Sequence, residues 1–131
     1  MSEVMKYKKL QVYNKAIEMV VHVYALIKKF PREEQFALGD QLRRALISIP
    51  SNIAEGMGRV STRDRAHFVE IAYGSLMEVN CQLEIAMKLG YISIEELSAE
   101  NKECEEIARM LSGLRASLLS TLDSRLSTLD S

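Results

Sequence analysis

The sequence predicts an all-α fold: an antiparallel up-down four-helix bundle whose second helix is kinked at Pro50. Three observations predict it. Apolar residues recur at three- and four-residue spacing through four separate segments, the period of a helix with a buried face. Two prolines and six glycines in 131 residues leave little chain for loops. Leu, Ile, Ala, Glu, Lys, Arg and Met, which lose little on entering a helix, supply most of the rest.

Helix one is expected over 8–30. Leu10, Tyr13, Ile17, Val20, Tyr24 and Ile27 form one apolar stripe, and Val12, Ala16, Met19, Val23, Leu26 and Phe30 form a second beside it. One stripe suffices for a helix in a monomeric bundle. Two imply a further buried contact, either with another subunit or with neighbours on both sides in the same bundle. The polar remainder is narrow and includes Lys15, Glu18, His22 and Lys29. Pro31 stops the helix because it has no N–H to continue the ladder.

Helix two is expected over 35–58, with Leu38, Leu42, Ala45, Ile49 and Ile53 inward. Pro50 should leave the Leu46 carbonyl without its donor and bend the helix. Gly56 and Gly58 should end it in a left-handed conformation. A polar seam of Gln41, Arg44, Ser48, Ser51 or Asn52, and Glu55 lines one face. It reads either as a subunit seam or as a solvent face whose serines bond the backbone groups freed by Pro50.

Helix three should start at the N-cap Ser61, with Asp64 three residues on, and stop at Gly90. Phe68, Ala72, Leu76, Val79, Leu83 and Met87 give its inner face. Helix four repeats the start signal with Ser93 and Glu96, and continues through Leu97, Cys104, Ile107, Leu111, Leu114 and Leu118. Its outer face is expected to be acidic, with Glu95, Glu96, Glu100, Glu103, Glu105 and Glu106. Short connections imply antiparallel neighbours. The bundle domain is drawn at 1–118. The segment 119–131 repeats LSTLDS around Arg125 and reads as a helix extension, a frayed end or a duplicated tail.

Net charge is −1, which argues against a polyanion-binding surface over the whole molecule. The charge is divided, however: residues 1–65 carry 12 Lys/Arg against 7 Asp/Glu, and 66–131 carry 5 against 11. Such halves either form a binding face or attract each other. No export signal and no membrane-spanning run is read, and two cysteines without metal spacing suit a reducing compartment, so a cytoplasmic location is expected.

The search for chemistry finds no catalytic set, metal site or cofactor motif. Asp64-x-x-His67 and Glu18-x-x-x-His22 do not match the paired Glu-x-x-His pattern of a di-iron bundle. Cys81, expected in the core, lies about 21 Å along a helix from His67, too far for a nucleophile–base pair. Gly56-Met57-Gly58 follows a helix and lacks the third glycine of a phosphate loop. What remains is the turn Arg59-Val60-Ser61-Thr62-Arg63-Asp64-Arg65, beside a helix N-terminus that favours anions. It reads as a phosphate-binding site or as a solvated turn with its arginines paired to neighbouring acids.

The string Gln41-Leu42-Arg43-Arg44-Ala45, then Ser48 through Gly56, then Gly58-Arg59, resembles the bacterial four-helix-bundle family encoded in large-subunit rRNA intervening sequences. Leu10 to Tyr13, Phe30-Pro31, Gly74 to Glu78 and Leu89-Gly90-Tyr91 extend the resemblance over about residues 7–118. The resemblance implies a ring-like homopentamer. It also implies similarity to the accessory variability proteins of diversity-generating retroelements, which associate with a reverse transcriptase and with nucleic acid through a basic surface. It carries over no catalytic residue. The matched Arg43, Arg44, Asn52, Glu55 and Arg59 become candidates for an interface or binding surface.

The expectation is a non-enzymatic oligomeric accessory or scaffold protein engaging RNA, DNA or a ribonucleoprotein partner. The alternative is a purely protein-binding ring. Candidate nucleic-acid contacts are Arg59, Arg63, Arg65, Arg43 and Arg44. Candidate subunit contacts are Val12, Met19, Val23, Leu26, Ser48, Asn52 and Glu55.

Overall fold

A computed structural model describes the backbone of residues 3–130 and the side chains of residues 5–122. Four helices make the body of the chain: α1 (Gln11–Ile27), α2 (Leu38–Met57), α3 (Thr62–Lys88) and α4 (Ile94–Asp130). Short 3-10 segments at Glu3–Lys9 and Arg32–Glu34 precede α1 and α2. Contacts close in a ring, with α1 packed on α2 and α4, and α3 packed on α2 and α4. One apolar core runs through all four helices.

α1 is shorter than its apolar period suggests. It ends at Ile27, and Gln35 folds back to donate to the Ile27 and Phe30 carbonyls at 2.7 and 3.1 Å. The Ile27 carbonyl also accepts from the Phe30 amide at 2.9 Å, so Gln35 adds a second bond at the helix end and one to the loop just beyond it. Arg43 holds that loop: it donates to the Gln35 carbonyl at 2.9 Å, to Gln35 Oε1 at 2.6 Å and to Asp40 at 3.0 Å.

The two stripes of α1 exchange the roles expected of them. Val12, Met19 and Val23 are 5%, 0% and 0% exposed, inside the chain's own core with Ala16, Ile27 and Phe30. They offer no surface to another subunit, so they are corrected from interface to core. The other stripe lies at the edge: Leu10, Tyr13, Val20 and Tyr24 are half-buried and Ile17 is exposed. α1 packs on both α2 and α4, and these neighbours cover its second stripe only in part.

α2 buries Leu42, Ala45, Leu46, Ile49 and Ile53, and helical residues continue on both sides of the buried Pro50. Asn52 donates to the Ser48 carbonyl at 2.7 Å and to Ser48 Oγ at 2.8 Å. The amide therefore serves Ser48, not the Leu46 carbonyl that Pro50 frees. The glycines at the helix end also differ from expectation. Gly58 has φ −85°, and Gly56 lies within the helix. A Cβ on Gly56 would fall 2.8 Å from the Phe68 Cβ and 3.3 Å from the Arg65 carbonyl oxygen, so the glycine permits close approach of α3.

Both start signals of the second half form. Ser61 Oγ accepts from the Asp64 amide at 2.9 Å. At α4, Ser93 Oγ accepts from the Glu96 amide at 3.0 Å while the Ser93 amide donates to Glu96 Oε1 at 2.8 Å, a reciprocal capping box. Between them α3 stops at Gly90, whose φ is +83°. The Gly90 amide donates to Met87 and the Tyr91 amide to Ala86, the paired bonds of a Schellman motif.

Cross-helix pairs fix the register. Along α3 and α4, Asn80 meets Asn101 and Glu70 meets Arg115. Numbers fall on one helix as they rise on the next, the order that antiparallel neighbours produce. α4 runs on through the repeated segment to Asp130; the side chains of 123–131, which carry most of that repeat, lie outside the described residues.

Candidate functional site

Three surfaces hold the residues singled out in the sequence. The first is the arginine turn between α2 and α3. Arg59 donates to Glu55 Oε1 at 2.9 Å, and its guanidinium lies 4.5 Å from the Phe68 ring centroid. Arg65 Nε donates to the Arg59 carbonyl at 2.7 Å. Two of the three arginines thus brace the turn, and the Ser61 cap occupies the Asp64 amide. Arg63 is exposed and has no bond or ion pair among the described residues. Val60, at the tip, is 97% exposed.

The second surface is the outer side of α2. Arg43 is committed to the loop before the helix, whereas Arg44 is exposed and unpaired among the described residues. Fifteen residues separate Arg44 from Arg59, about 22 Å along a helix. The five candidate arginines therefore form two sites, not one patch. Ser48 and Asn52 are half-buried, and Ser48 Oγ meets Ser75 Oγ of α3 at 2.8 Å, so this part of the seam is internal. Leu26 is half-buried against the core, and Glu55 is exposed and paired with Arg59. A groove of about 340 Å³ opens between α1 and α2, lined by Tyr13, Ile17, Val20, Ile47 and Pro50. Ile17 and Ile47 are 39% and 48% exposed there, and Tyr7 closes one end with its ring 5.1 Å from that of Tyr13. A second groove of about 520 Å³, holding Arg44 and Asp40, shares Ile47 and Ser51 with it.

The third surface is the seam between α1 and α4. Lys15 meets Glu106 at 3.4 Å, His22 Nδ1 meets Glu103 Oε2 at 2.9 Å, and Lys29 meets Glu96. The divided charge of the sequence is thus partly spent inside the molecule. The bond from Lys29, then the Ser93 amide, hold the Glu96 carboxyl below its ordinary range. Glu100 lies in the same seam and is only 6% exposed. Burial, and then the neighbouring Glu103 carboxyl, push its pKa up to about 8. The expected acidic outer face of α4 is corrected accordingly: Glu96, Glu100, Glu103 and Glu106 face α1, leaving Glu95 and Glu105 outward.

Sequence reasoning missed this seam, although a signal was present. Lys15, His22 and Lys29 recur every seven residues, as do Glu96 and Glu103, which puts each set on one helix face. Of the cysteines, Cys81 is reassigned from core to surface, while Cys104 is buried as its stripe implies. Burial pushes the Cys104 thiol up to about 12. No described helix is long and apolar enough to cross a membrane.

Comparison with known proteins agrees with the architecture. The family model for the 23S rRNA-intervening sequence protein matches residues 8–113. A solved structure of a protein of unknown function from the S23 ribosomal protein family of Bacteroides thetaiotaomicron is similar, with a TM-score of 0.71 and 25% identity. The match covers 79% of this chain and 97% of that one. A search of curated proteins finds no match. A four-helix body matched by the family model from residue 8 to residue 113 makes this chain a member of the 23S rRNA-intervening sequence protein family.

Proposed function

We propose that the protein is a non-enzymatic scaffold that assembles with copies of itself, as a ring-like homopentamer, and presents basic side chains to RNA, DNA or a ribonucleoprotein partner such as a reverse transcriptase. The observation that carries this reading is the groove between α1 and α2. A helix that has already buried a full core stripe still exposes Ile17, which with Tyr13 and Val20 of the same helix faces Ile47 and Pro50 of α2 across an open channel. Contiguous apolar surface of this kind marks contact surfaces. Its occupant is a second copy of this chain, the partner always present at equal concentration. Arg44 stands in the adjoining groove, so assembly would repeat one exposed guanidinium around the ring. Arg63 adds a second at the turn. Phosphate contacts of this type give sequence-independent, salt-sensitive binding.

The alternative, a ring that binds only a basic protein through α4, loses support from the inward pairing of Glu96, Glu103 and Glu106. Native mass spectrometry on gently purified protein tests the reading. A pentamer carrying nucleic acid is the expected result. A bare pentamer moves the function to a protein partner, and a monomer at micromolar concentration overturns the assembly.

A further inference from the structure

Among the described residues, the acids of α4 that meet α1 in an ion pair each have their own basic partner, in the order Glu96–Lys29, Glu103–His22 and Glu106–Lys15. Glu100, one turn from Glu96 and one from Glu103, turns into the same seam without one. Its Oε2 is buried and has no hydrogen-bond partner, and Glu103 Oε1 is in the same condition. His22 is left to face two carboxyls. The ligand atoms of His22, Glu100 and Glu103 all lie within 4.8 Å of one another.

We propose that His22, Glu100 and Glu103 form a binding site for a divalent transition-metal ion, with Zn²⁺ the best fit. Three features support it. First, the charge is right: two carboxylates and a neutral imidazole are offset by one divalent cation, and the α1 lysines that ion-pair along this seam, Lys15 and Lys29, are taken by Glu106 and Glu96. Second, the donor set is right. One imidazole nitrogen and two carboxylate oxygens on three side chains is a common zinc arrangement, with bonds of about 2.0–2.2 Å. Ligands at that distance stand roughly 3.4 Å apart around a tetrahedral ion, and the 2.9 Å between His22 Nδ1 and Glu103 Oε2 is already on that scale. Mg²⁺ and Ca²⁺ favour six or more oxygens and are poorer fits. Third, the site is half open: Glu100 is buried while the His22 side chain is 53% exposed. The buried acid holds the ion from within, and the imidazole side admits it and leaves a fourth position for water. Glu100 and Glu103 are three apart on one helix, so closing on an ion needs side-chain rotation only.

Chelator-treated protein titrated with Zn²⁺ tests this, by calorimetry for stoichiometry and by thermal unfolding for coupling to the fold. The expected result is one ion per chain and a raised Tm. H22A and E100Q should each bind at least ~10-fold more weakly and lose the Tm rise, while C81S keeps both, which separates this seam from the exposed thiol. H22A alters a half-exposed side chain and keeps the test valid should E100Q disturb the core. No Zn²⁺ binding by the parent protein, undiminished binding in H22A, or loss of binding in C81S would each overturn the site.

Discussion

The guanidinium of Arg59 lies 4.5 Å from the ring centroid of Phe68 while the same side chain reaches Glu55 at 2.9 Å. Arg59 is therefore a brace of the α2–α3 turn, and its neighbour Arg63 is not. Arg59→Ala should lower stability by about 1 kcal/mol, from the lost ring contact and an exposed ion pair. Arg63→Ala should leave stability within ~0.5 kcal/mol. If the turn contacts nucleic acid, Arg63→Ala should weaken binding and flatten its salt dependence by roughly one unit of slope. Denaturant unfolding with an anisotropy titration on the same samples reads both effects.

Arg43→Ala should be costlier than either. It removes two bonds that hold Gln35, which in turn closes the end of α1, and a third to Asp40. A loss of about 1–3 kcal/mol is expected from groups left without partners, seen as a lower urea midpoint at unchanged slope.

Two glycines in helices give opposite predictions. Gly56→Ala forces a Cβ to 2.8 Å from that of Phe68, a branch point with no freedom to swing away, and should cost about 1–3 kcal/mol. Gly74→Ala meets nothing within 4 Å in the middle of α3 and should add up to about 1 kcal/mol. Thermal melts of the two variants should move to either side of the parent.

The local signals were legible in sequence. Ser61 and Ser93 cap where spacing placed them, because a cap involves four consecutive residues. Gly90 stops α3 for the same reason. The direction of the α1 stripes was not legible. Periodicity locates an apolar face relative to its own helix, and which neighbour that face meets depends on residues far along the chain. The exchange of Val12, Met19 and Val23 from interface to core is that loss of information. So is the misassignment of the α4 acids, since Glu100 and Glu103 acquire their meaning only opposite His22, 81 residues away from Glu103. Gly56 misled in another way: a glycine near a helix end suggests a turn, and here it serves contact with α3.

The buried Glu100 predicts how stability depends on pH in protein freed of metal. Its pKa rises from 4.5 to about 8 on folding, so between these values the native state holds a proton that the unfolded chain releases. Its contribution is fully present below pH 4.5 and is lost as pH rises through about 8. Glu103 and His22 face the same carboxyl. Glu96 acts in the opposite sense: its depressed pKa contributes stability that falls away only as acid protonates it. Glu100→Gln should erase the decline and be more stable than the parent near pH 8, by a few kcal/mol at most. Unfolding curves at a series of pH values, with chelator present, measure the difference.

The thiols should separate cleanly. Cys81 is exposed, while Cys104 is buried and held protonated. A thiol reagent at neutral pH should label one cysteine per chain in the native protein and two after denaturation. Peptide mapping should place the first label on Cys81.

The ladder of lysine, histidine and glutamate between α1 and α4 has a kinetic meaning as well. Exposed ion pairs hold in proportion to how little the surrounding electrolyte screens them. The seams of α3 with α2 and α4 rest more on apolar burial, which salt does not screen, with Glu70–Arg115 the ion pair of the α3–α4 seam among the described residues. The first helix is thus fastened along one edge by a clasp that dissolved ions can loosen, and its amides should exchange with solvent sooner than those of α3 as ionic strength rises.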